Sequence, residues 1–393
     1  ERQVSVVVDP GQGAMALRAA HQAYSLSGRG VAVALLGSTG RVGTALTKQL
    51  KQQAKRLRGE VDLKVVAAGD KRGLALDETG RGLQLQRLEE EVKGADGMDL
   101  DKVAAHLLAD GNPHRIVIDC TDSDKVADRY AEWLASGIHV ITSSTLVGGG
   151  PLERYEECLA AAKIGCSQLR MGPSVGAGTG LLKHLSDMLW HGADITKVEA
   201  VLSGSLSFVF ETCSPDVTFA SALEIAIQRG YTAVDPRADL SGLDTARRLL
   251  SVARHLSLPL QLSDIALHKP LTPERLQDWE CPSNREEAGA GFMAEMKDSD
   301  FAWIDDLVRE AAEEDEVLRY VAILQLQPTP VASVELRRYP KSHDLACCGT
   351  TDHVAAIYSS RLKDPMVLQG AGIGEELVAA GLSSELLRLL AEI

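Results

Sequence analysis

The chain of 393 residues has no C-x-x-C pair and no Cys/His spacing suited to a metal, although it holds seven cysteines: Cys120, Cys158, Cys166, Cys213, Cys281, Cys347 and Cys348. Scattered and odd in number, they read as reduced thiols of a cytosol-like compartment and not as a disulfide framework. Positive charge is not in excess, since 41 Lys+Arg stand against 55 Asp+Glu for a formal charge of −14. An acidic surface repels phosphate, so neither a nucleic-acid partner nor a membrane partner is expected. No stretch reaches the ~18 apolar residues that a membrane helix requires. Internal repeats, low-complexity segments and a signal or transit peptide are also missing. The first residue is Glu1 where a start codon gives Met, as expected of a processed product or a piece of something longer.

What is there is ordinary globular material, 45% hydrophobic and 24% charged, with 35 glycines. Such a composition excludes a disordered chain, and the length suits two or three domains. A strand is expected over 3–8, then a small-residue helix over 13–24 and a linker at 25–30. The continuous apolar run 31–36 predicts a strand buried on both faces. A glycine loop and a helix over 41–57 follow. Further strands are expected at 63–68, 116–119 and 139–142, the last two joined by an amphipathic helix over 123–136. This alternation implies right-handed crossovers and a parallel sheet, in a domain placed at 30–170. Beyond it, helices at 177–191, 218–229, 243–256 and 301–313 fall among strands at 196–203, 318–325 and 332–338. That pattern predicts an α+β domain. The stretch 262–300, rich in Pro, Asp and Glu, reads as a surface excursion. The tail from about 350 holds a glycine cluster at 370–374 and ends in a Leu-rich helix.

The glycines carry the first chemical signal. Gly37-Ser38-Thr39-Gly40-Arg41-Val42-Gly43 joins the buried strand to its helix. Gly37 suits the tight turn, Gly40 lets backbone approach a pyrophosphate, and Gly43 lets helix and strand pack closely. N–H groups at the start of the helix then face a negative ligand. The spacing is G-x-x-G-x-x-G, one residue longer than the usual dinucleotide fingerprint; the alternative is a plain strand-to-helix turn. The expected class is therefore α/β, a Rossmann-type nucleotide-binding domain with a second α+β domain. At the end of the second strand stand Asp70, Lys71 and Arg72. A carboxylate there suits the ribose 2′-OH of NAD and a cation the 2′-phosphate of NADP. Lys71 and Arg72 tip the reading toward NADP, with solvated loop charges as the alternative.

A second cluster, 230–248, is dense in turn formers and charge and runs into a helix. Asp244 and Arg248, four apart, share a helix face, with Asp239 just upstream. Carboxylates of this kind bind the ammonium of an amino acid and the cation an oxyanion, while a surface ion pair is the alternative. His139 in its apolar strand is expected in the core. Cys120 reads as packing, and Trp133, Trp190, Trp279 and Trp303 as core or rim.

Segment 230–248 resembles the homoserine dehydrogenase signature. Leu202-Ser203-Gly204-Ser205-Leu206-Ser207, Gly176-Ala177-Gly178, Asp119-Cys120-Thr121 and the stretch 370–381 match the same family in the same order. The likeness covers 30–393 and is closest to the dehydrogenase half of bifunctional aspartokinase–homoserine dehydrogenases. It implies residues 1–29 as the remnant of a regulatory ACT domain and linker, 30–170 as the NAD(P)-binding domain, and 171–348 as the catalytic and dimerisation domain. Residues 349–393 would then form a C-terminal segment returning to the nucleotide domain. It implies NAD(P)H-dependent interconversion of aspartate 4-semialdehyde and L-homoserine, in threonine and methionine biosynthesis. The implied catalytic residues are Asp239, Asp244 and Arg248. The implied coenzyme contacts are Gly37, Thr39, Gly40, Arg41, Val42, Gly43, Lys71, Arg72, Thr121, Gly372 and Gly374. A sodium ion on the backbone of Gly172, Val175 and Ala177, a homo-oligomer and an upstream aspartokinase fusion are implied too. So is a cytoplasmic location, or a plastid one in a photosynthetic eukaryote.

The departures from the family fall on the chemistry. Thr145 stands where the family has a lysine, Ala233 where it has a glutamate, Arg248 where it has a second lysine, and Val378 where it has a threonine. A guanidinium, with pKa above about 12, is a poor acid where a lysine ammonium can yield its proton. Two further readings follow: a catalytically degenerate nucleotide-binding homologue, and a reductase of another small aldehyde or imine on the same fold.

Overall fold

The computed structural model describes residues 5–9, 13, 16, 17, 20, 29–56, 61–92, 97–109 and 113–393. The chain divides into two compact units. The first comprises Glu1–Thr142, Glu157–Arg170 and Leu382–Ile393; the second, Ser143–Glu156 and Met171–Gly381.

The first unit is built on β1 (Arg29–Leu36), β2 (Val61–Asp70), β3 (Gly73–Leu76), β4 (His114–Asp119), β5 (His139–Thr142) and β6 (Leu169–Arg170), in the order β3-β2-β1-β4-β5-β6. All neighbours are parallel except the β2–β3 hairpin. Residues 31–36 are fully buried, as an apolar run covered on both faces requires. Helix Arg41–Arg56 buries Gly43, Ala45, Leu46 and Leu50 on one stripe and ends in Lys55 and Arg56, which suit the negative end of its dipole. The strand order reverses direction between β1 and β4, and Leu36 pairs with Asp119 at their carboxyl ends. That reversal is where open α/β sheets form a ligand crevice.

The second unit holds β7 (Ile195–Val201), β8 (Ile265–Leu267), β9 (Glu316–Gln325), β10 (Val331–Pro340), β11 (Asp352–Ser359) and β12 (Met366–Ala371), ordered β12-β11-β7-β9-β10-β8. Neighbours are antiparallel except β8 with β10. Helices Gly204–Thr212, Phe219–Gln228 and Leu243–His255 share one core with this sheet, through Leu206, Val209, Phe219, Leu249 and Leu250 against Ala200, Tyr320 and Leu324.

Several expectations are corrected. Residues 5–9 carry no regular structure, and Val7 is 99% exposed; a strand needs a neighbour to pair with, and none of the described strands pairs with these residues. The helix expected over 13–24 and the ACT remnant lie largely outside the described residues. The helix over 123–136 splits into Asp124–Ala127 and Tyr130–Ala135. The 262–300 stretch is no mere excursion: β8 pairs with β10, and Leu271, Leu276 and Phe292 are buried. Most of its acidic residues occupy exposed positions between these anchors. Trp190 is 91% exposed because helix Leu181–Trp190 buries its 181, 182, 185 and 188 face instead. A boundary at 349 separates β10 from β11, which are strands of one sheet.

His139 is buried in β5 as expected, its Nδ1 accepting the Gln168 N–H at 3.1 Å. Burial, then the charges of His114 and Arg170, hold its pKa down to about 4. The unfolded chain takes up this proton near pH 6.5, the folded chain only near 4. Stability is therefore lost as pH falls through that window, by on the order of 3 kcal/mol. His139→Gln is expected to flatten the loss between pH 7 and 4.5, measured by urea unfolding. An unchanged slope refutes the assignment.

Candidate coenzyme and substrate sites

In the first unit the chain leaves β1 through Gly37, whose φ of +76° suits glycine. The N–H groups of Gly37 and Ser38 donate to the Gly69 carbonyl at 2.7 and 3.3 Å, and Gly40 N–H donates to Gly37 O at 3.1 Å. A Cβ on Gly43 would lie 2.1 Å from that same Gly37 oxygen and 2.8 Å from Ser38 backbone, so helix and turn meet only through a bare Cα. A Cβ on Gly37 would meet the Cys120 carbonyl and Thr121 Cγ2 at 3.0 Å. The turns after β1 and β4 are thus packed together. The helix N–H groups of Arg41, Val42 and Gly43 lack intrahelical acceptors, as at every helix start.

Asp119 fixes the second turn. Its buried carboxyl accepts the Tyr130 hydroxyl and, at 2.7 Å, the Thr121 N–H. Burial raises its pKa to about 6 against those two bonds. Burial, and then Asp119, push the Cys120 thiol up, which agrees with packing and not nucleophilic chemistry. Ser38 Oγ is buried without a hydrogen-bond partner among the described residues, and the Thr121 hydroxyl lies beside the Asp119 carboxyl. An idle Ser38 hydroxyl and free helix N–H groups around a cradle that a single Cβ would fill are donors that suit a diphosphate, so the residues present fit a nicotinamide coenzyme.

Asp70, at the end of β2, is engaged from three sides. It accepts the Thr39 hydroxyl, the Arg72 N–H at 2.6 Å and Arg72 Nε at 3.0 Å. Thr39 and Arg72 are thereby brought together, while Lys71 is exposed beside them. Arg72 keeps its remaining donors near the surface, with Glu89 3.9 Å away.

In the second unit, Asp239 stands on the short helix Pro236–Leu240. It accepts Ser205 Oγ at 2.5 Å and the Ala233 N–H at 2.7 Å, and burial pushes its carboxyl pKa up. Gly242, at φ +74°, starts the helix Leu243–His255; a Cβ there would overlap the Tyr320 hydroxyl at 1.9 Å. One turn into that helix, Arg248 bonds Asp244 at 2.6 Å through one terminal nitrogen and the Leu202 carbonyl through the other. Asp239, Asp244 and Arg248 act on one another electrostatically: Asp244 raises the Asp239 pKa and Arg248 lowers it.

Sequence reasoning missed the support beneath Thr145. A Cβ on Gly148 would lie 2.6 Å from Ser251 Oγ, and one on Gly149 2.5 Å from the Arg247 carbonyl. Buried Arg254 donates to the carbonyls of Val147 at 3.2 Å, Gly148 at 3.0 Å and Leu260 at 3.2 Å. Thr145 O in turn accepts the Gly149 N–H at 2.7 Å. The run Gly148-Gly149-Gly150 was the available signal.

Gly172 opens a 3-10 turn, Gly172–Ser174, in which Ser174 Oγ and N–H both bond the Met171 carbonyl. Val175 is buried and Ala177 half-buried after it. Among the described residues no group of three or more His, Cys, Asp or Glu side chains could hold a metal ion. At the end of β12, Gly372 N–H donates to Thr351 O at 3.0 Å and Gly374 takes φ +139°. The coenzyme-loop residues belong to the first unit, and Asp239, Asp244, Arg248, Thr145, Gly372 and Gly374 to the second. Among the described residues no helix is long and apolar enough to cross a membrane.

A family model described as homoserine dehydrogenase matches residues 181–387, and one described as homoserine dehydrogenase, NAD binding domain, matches 39–170. The chain is 34% identical over 394 residues to bifunctional aspartokinase/homoserine dehydrogenase 1, chloroplastic, of Zea mays, covering 99% of this chain and 41% of that protein. It is 32% identical to the homoserine dehydrogenase of Emericella nidulans over 297 residues, 74% of this chain and 79% of the relative. The chain thus spans about two-fifths of the length of the bifunctional relatives it matches. Among solved structures, a Candida auris protein of unknown function has a TM-score of 0.79 at 27% identity, covering 92% of this chain and 98% of that one. A hyperthermophilic archaeal homoserine dehydrogenase in complex with NADPH has a TM-score of 0.68 at 18% identity, covering 93% and 98%, a likeness of fold.

Proposed function

The chain belongs to the homoserine dehydrogenase family, and from that premise we propose that it is an oxidoreductase interconverting aspartate 4-semialdehyde and L-homoserine with NADP(H). The observation that carries the reading is the second-unit constellation: buried Asp239 held by Ser205 and Ala233, followed by the Asp244–Arg248 pair on one helix face. Asp239 and Asp244 accept the substrate ammonium. Arg248, held in a fork between Asp244 and the Leu202 carbonyl, stabilises negative charge on the aldehyde oxygen, and water completes the proton transfer. The coenzyme, when bound, supplies the hydride. Gly37, Ser38, Gly40 and the N–H groups of Arg41, Val42 and Gly43 hold its diphosphate, with Thr121 as a further contact. Backbone atoms of Gly172, Val175 and Ala177 would hold a sodium ion. The protein works as a homo-oligomer in cytoplasm or plastid, and the bifunctional relatives support a place downstream of an aspartokinase in a longer polypeptide.

NADP is preferred because the Asp70 carboxylate is already engaged by Thr39 and Arg72, while Arg72 and Lys71 offer positive charge to a 2′-phosphate. Arg72→Ala is expected to weaken NADPH at least about tenfold relative to NADH, measured as two dissociation constants. Equal losses refute the preference.

A second reading has its own support. Arg248 is tied to Asp244 and to the Leu202 carbonyl, and Thr145 and Ala233 bring no charge, so a degenerate coenzyme-binding homologue fits the same fold. An assay of the purified chain with L-homoserine and NADP⁺ separates the two. Homoserine-dependent NADPH formation supports the dehydrogenase. No rate above blank together with a coenzyme-induced rise in Tm supports the degenerate homologue. Neither rate nor rise overturns both.

A further inference from the structure

The glycine loop after β12 covers a histidine that the site residues above leave unexplained. His353 lies at the start of β11, opposite Gly370 of β12, and the next residue, Val354, pairs with Val201 of β7. The chain leaving β7 carries Leu202, whose carbonyl holds Arg248, and Gly204, where a Cβ would strike Ile373 at 2.4 Å. A Cβ on Gly372 would lie 2.3 Å from His353 Cδ2 and 2.6 Å from Nε2. Two glycines thus make room for the imidazole and the loop over it.

Both ring nitrogens are buried, and neither has a hydrogen-bond partner among the described residues. An idle buried polar atom is destabilising, and this side chain carries two. Burial, and then the charge of Arg248, hold its pKa down to about 3, so the ring is neutral at pH 7 with one donor and one acceptor. If packing were its whole role, an apolar side chain would serve with no such cost. An aldehyde oxygen only accepts hydrogen bonds, whereas the hydroxyl formed from it both donates and accepts. A neutral imidazole satisfies each form in turn, and the nearby Arg248 excludes a cationic group.

We propose that His353 is a substrate-binding residue whose unpartnered ring nitrogens bond the side-chain oxygen of the small amino-acid substrate near Arg248. The proposal rests on the dehydrogenase reading above and deepens it. The test is the affinity of wild type, His353→Leu and His353→Gln for L-homoserine in the presence of NADP⁺, with the ligand-free Tm of each. His353→Leu is expected to raise the ligand-free Tm, to weaken homoserine at least about tenfold, and to leave NADP⁺ affinity within about twofold. His353→Gln, with a donor and an acceptor, recovers part of the loss. Homoserine affinity unchanged in the leucine variant overturns the proposal. So does a His353 ring ¹⁵N resonance of the wild type that stays in place on homoserine addition, a readout independent of how either variant folds. Wild type that binds NADP⁺ but not homoserine overturns the His353 role and leaves the coenzyme half standing. Wild type that binds neither overturns the dehydrogenase reading, and the proposal falls with it.

Discussion

An alanine at position 43 is expected to abolish coenzyme binding. Its Cβ would lie 2.1 Å from the Gly37 oxygen and 2.8 Å from Ser38 backbone, and neither neighbour is a flexible side-chain end. The collision is relieved only if the helix withdraws or the turn opens. Gly37 and Ser38 are pinned to the Gly69 carbonyl, and Gly37 also packs on the turn after β4, so opening the turn breaks those bonds too. Overpacking of this kind costs about 1–3 kcal/mol in stability. The greater loss is functional, because the diphosphate needs Ser38 and the helix N–H groups in one register. A Gly43→Ala chain is expected to lose at least about a hundredfold in NADP⁺ affinity, read by calorimetry and as a vanished thermal shift. Gly40→Ala is the control: its Cβ meets Gly37 O at 3.3 Å, where a small adjustment suffices. If Gly43→Ala binds NADP⁺ within about threefold of wild type, the loop is not the diphosphate site.

The triple variant Thr145→Lys, Ala233→Glu and Arg248→Lys is expected to raise kcat/KM for homoserine oxidation by about 10²–10⁴-fold, the usual worth of a general acid–base group. Arg248 holds a charge but does not release its proton at neutral pH. A lysine there can exchange one, with a glutamate at 233 and a second ammonium at 145 to tune it. The three positions act together: Ala233 N–H holds Asp239, and the Thr145 loop rests on the helix that presents Arg248. Arg248→Lys alone is therefore expected to gain little, since one ammonium replaces a fork that spans Asp244 and the Leu202 carbonyl. Initial rates at saturating coenzyme decide it. A triple variant no faster than wild type rules out the loss of these groups as the limit on rate.

What the sequence made legible was local. The 31–36 run, its glycine turn and the following helix lie within a few dozen residues, and each announces itself by period or composition. Asp244 and Arg248 are visible for the same reason, one turn apart on a helix. The missing parts depend on distant partners. β3 and β6 are strands of 4 and 2 residues defined by the sheet edges they join. β11 is not legible locally because its register is set by β7, some 150 residues earlier, and β12 pairs in turn with β11. Composition misled at 262–300, where the buried side chains are few and widely spaced. His353 gave no signal, since an imidazole in an apolar strand reads the same whether its nitrogens are satisfied or idle.

Arg254 reaches three carbonyls from inside the second unit, two of them on the glycine loop that carries Thr145. Loop and helix are mortised into one solid, with Gly148 seated against the Ser251 hydroxyl. Anyone randomising position 145 in search of new chemistry is thus also sampling how well residues 251 and 254 tolerate the change. Libraries that hold those two fixed will reject side chains for reasons of joinery and not of reactivity.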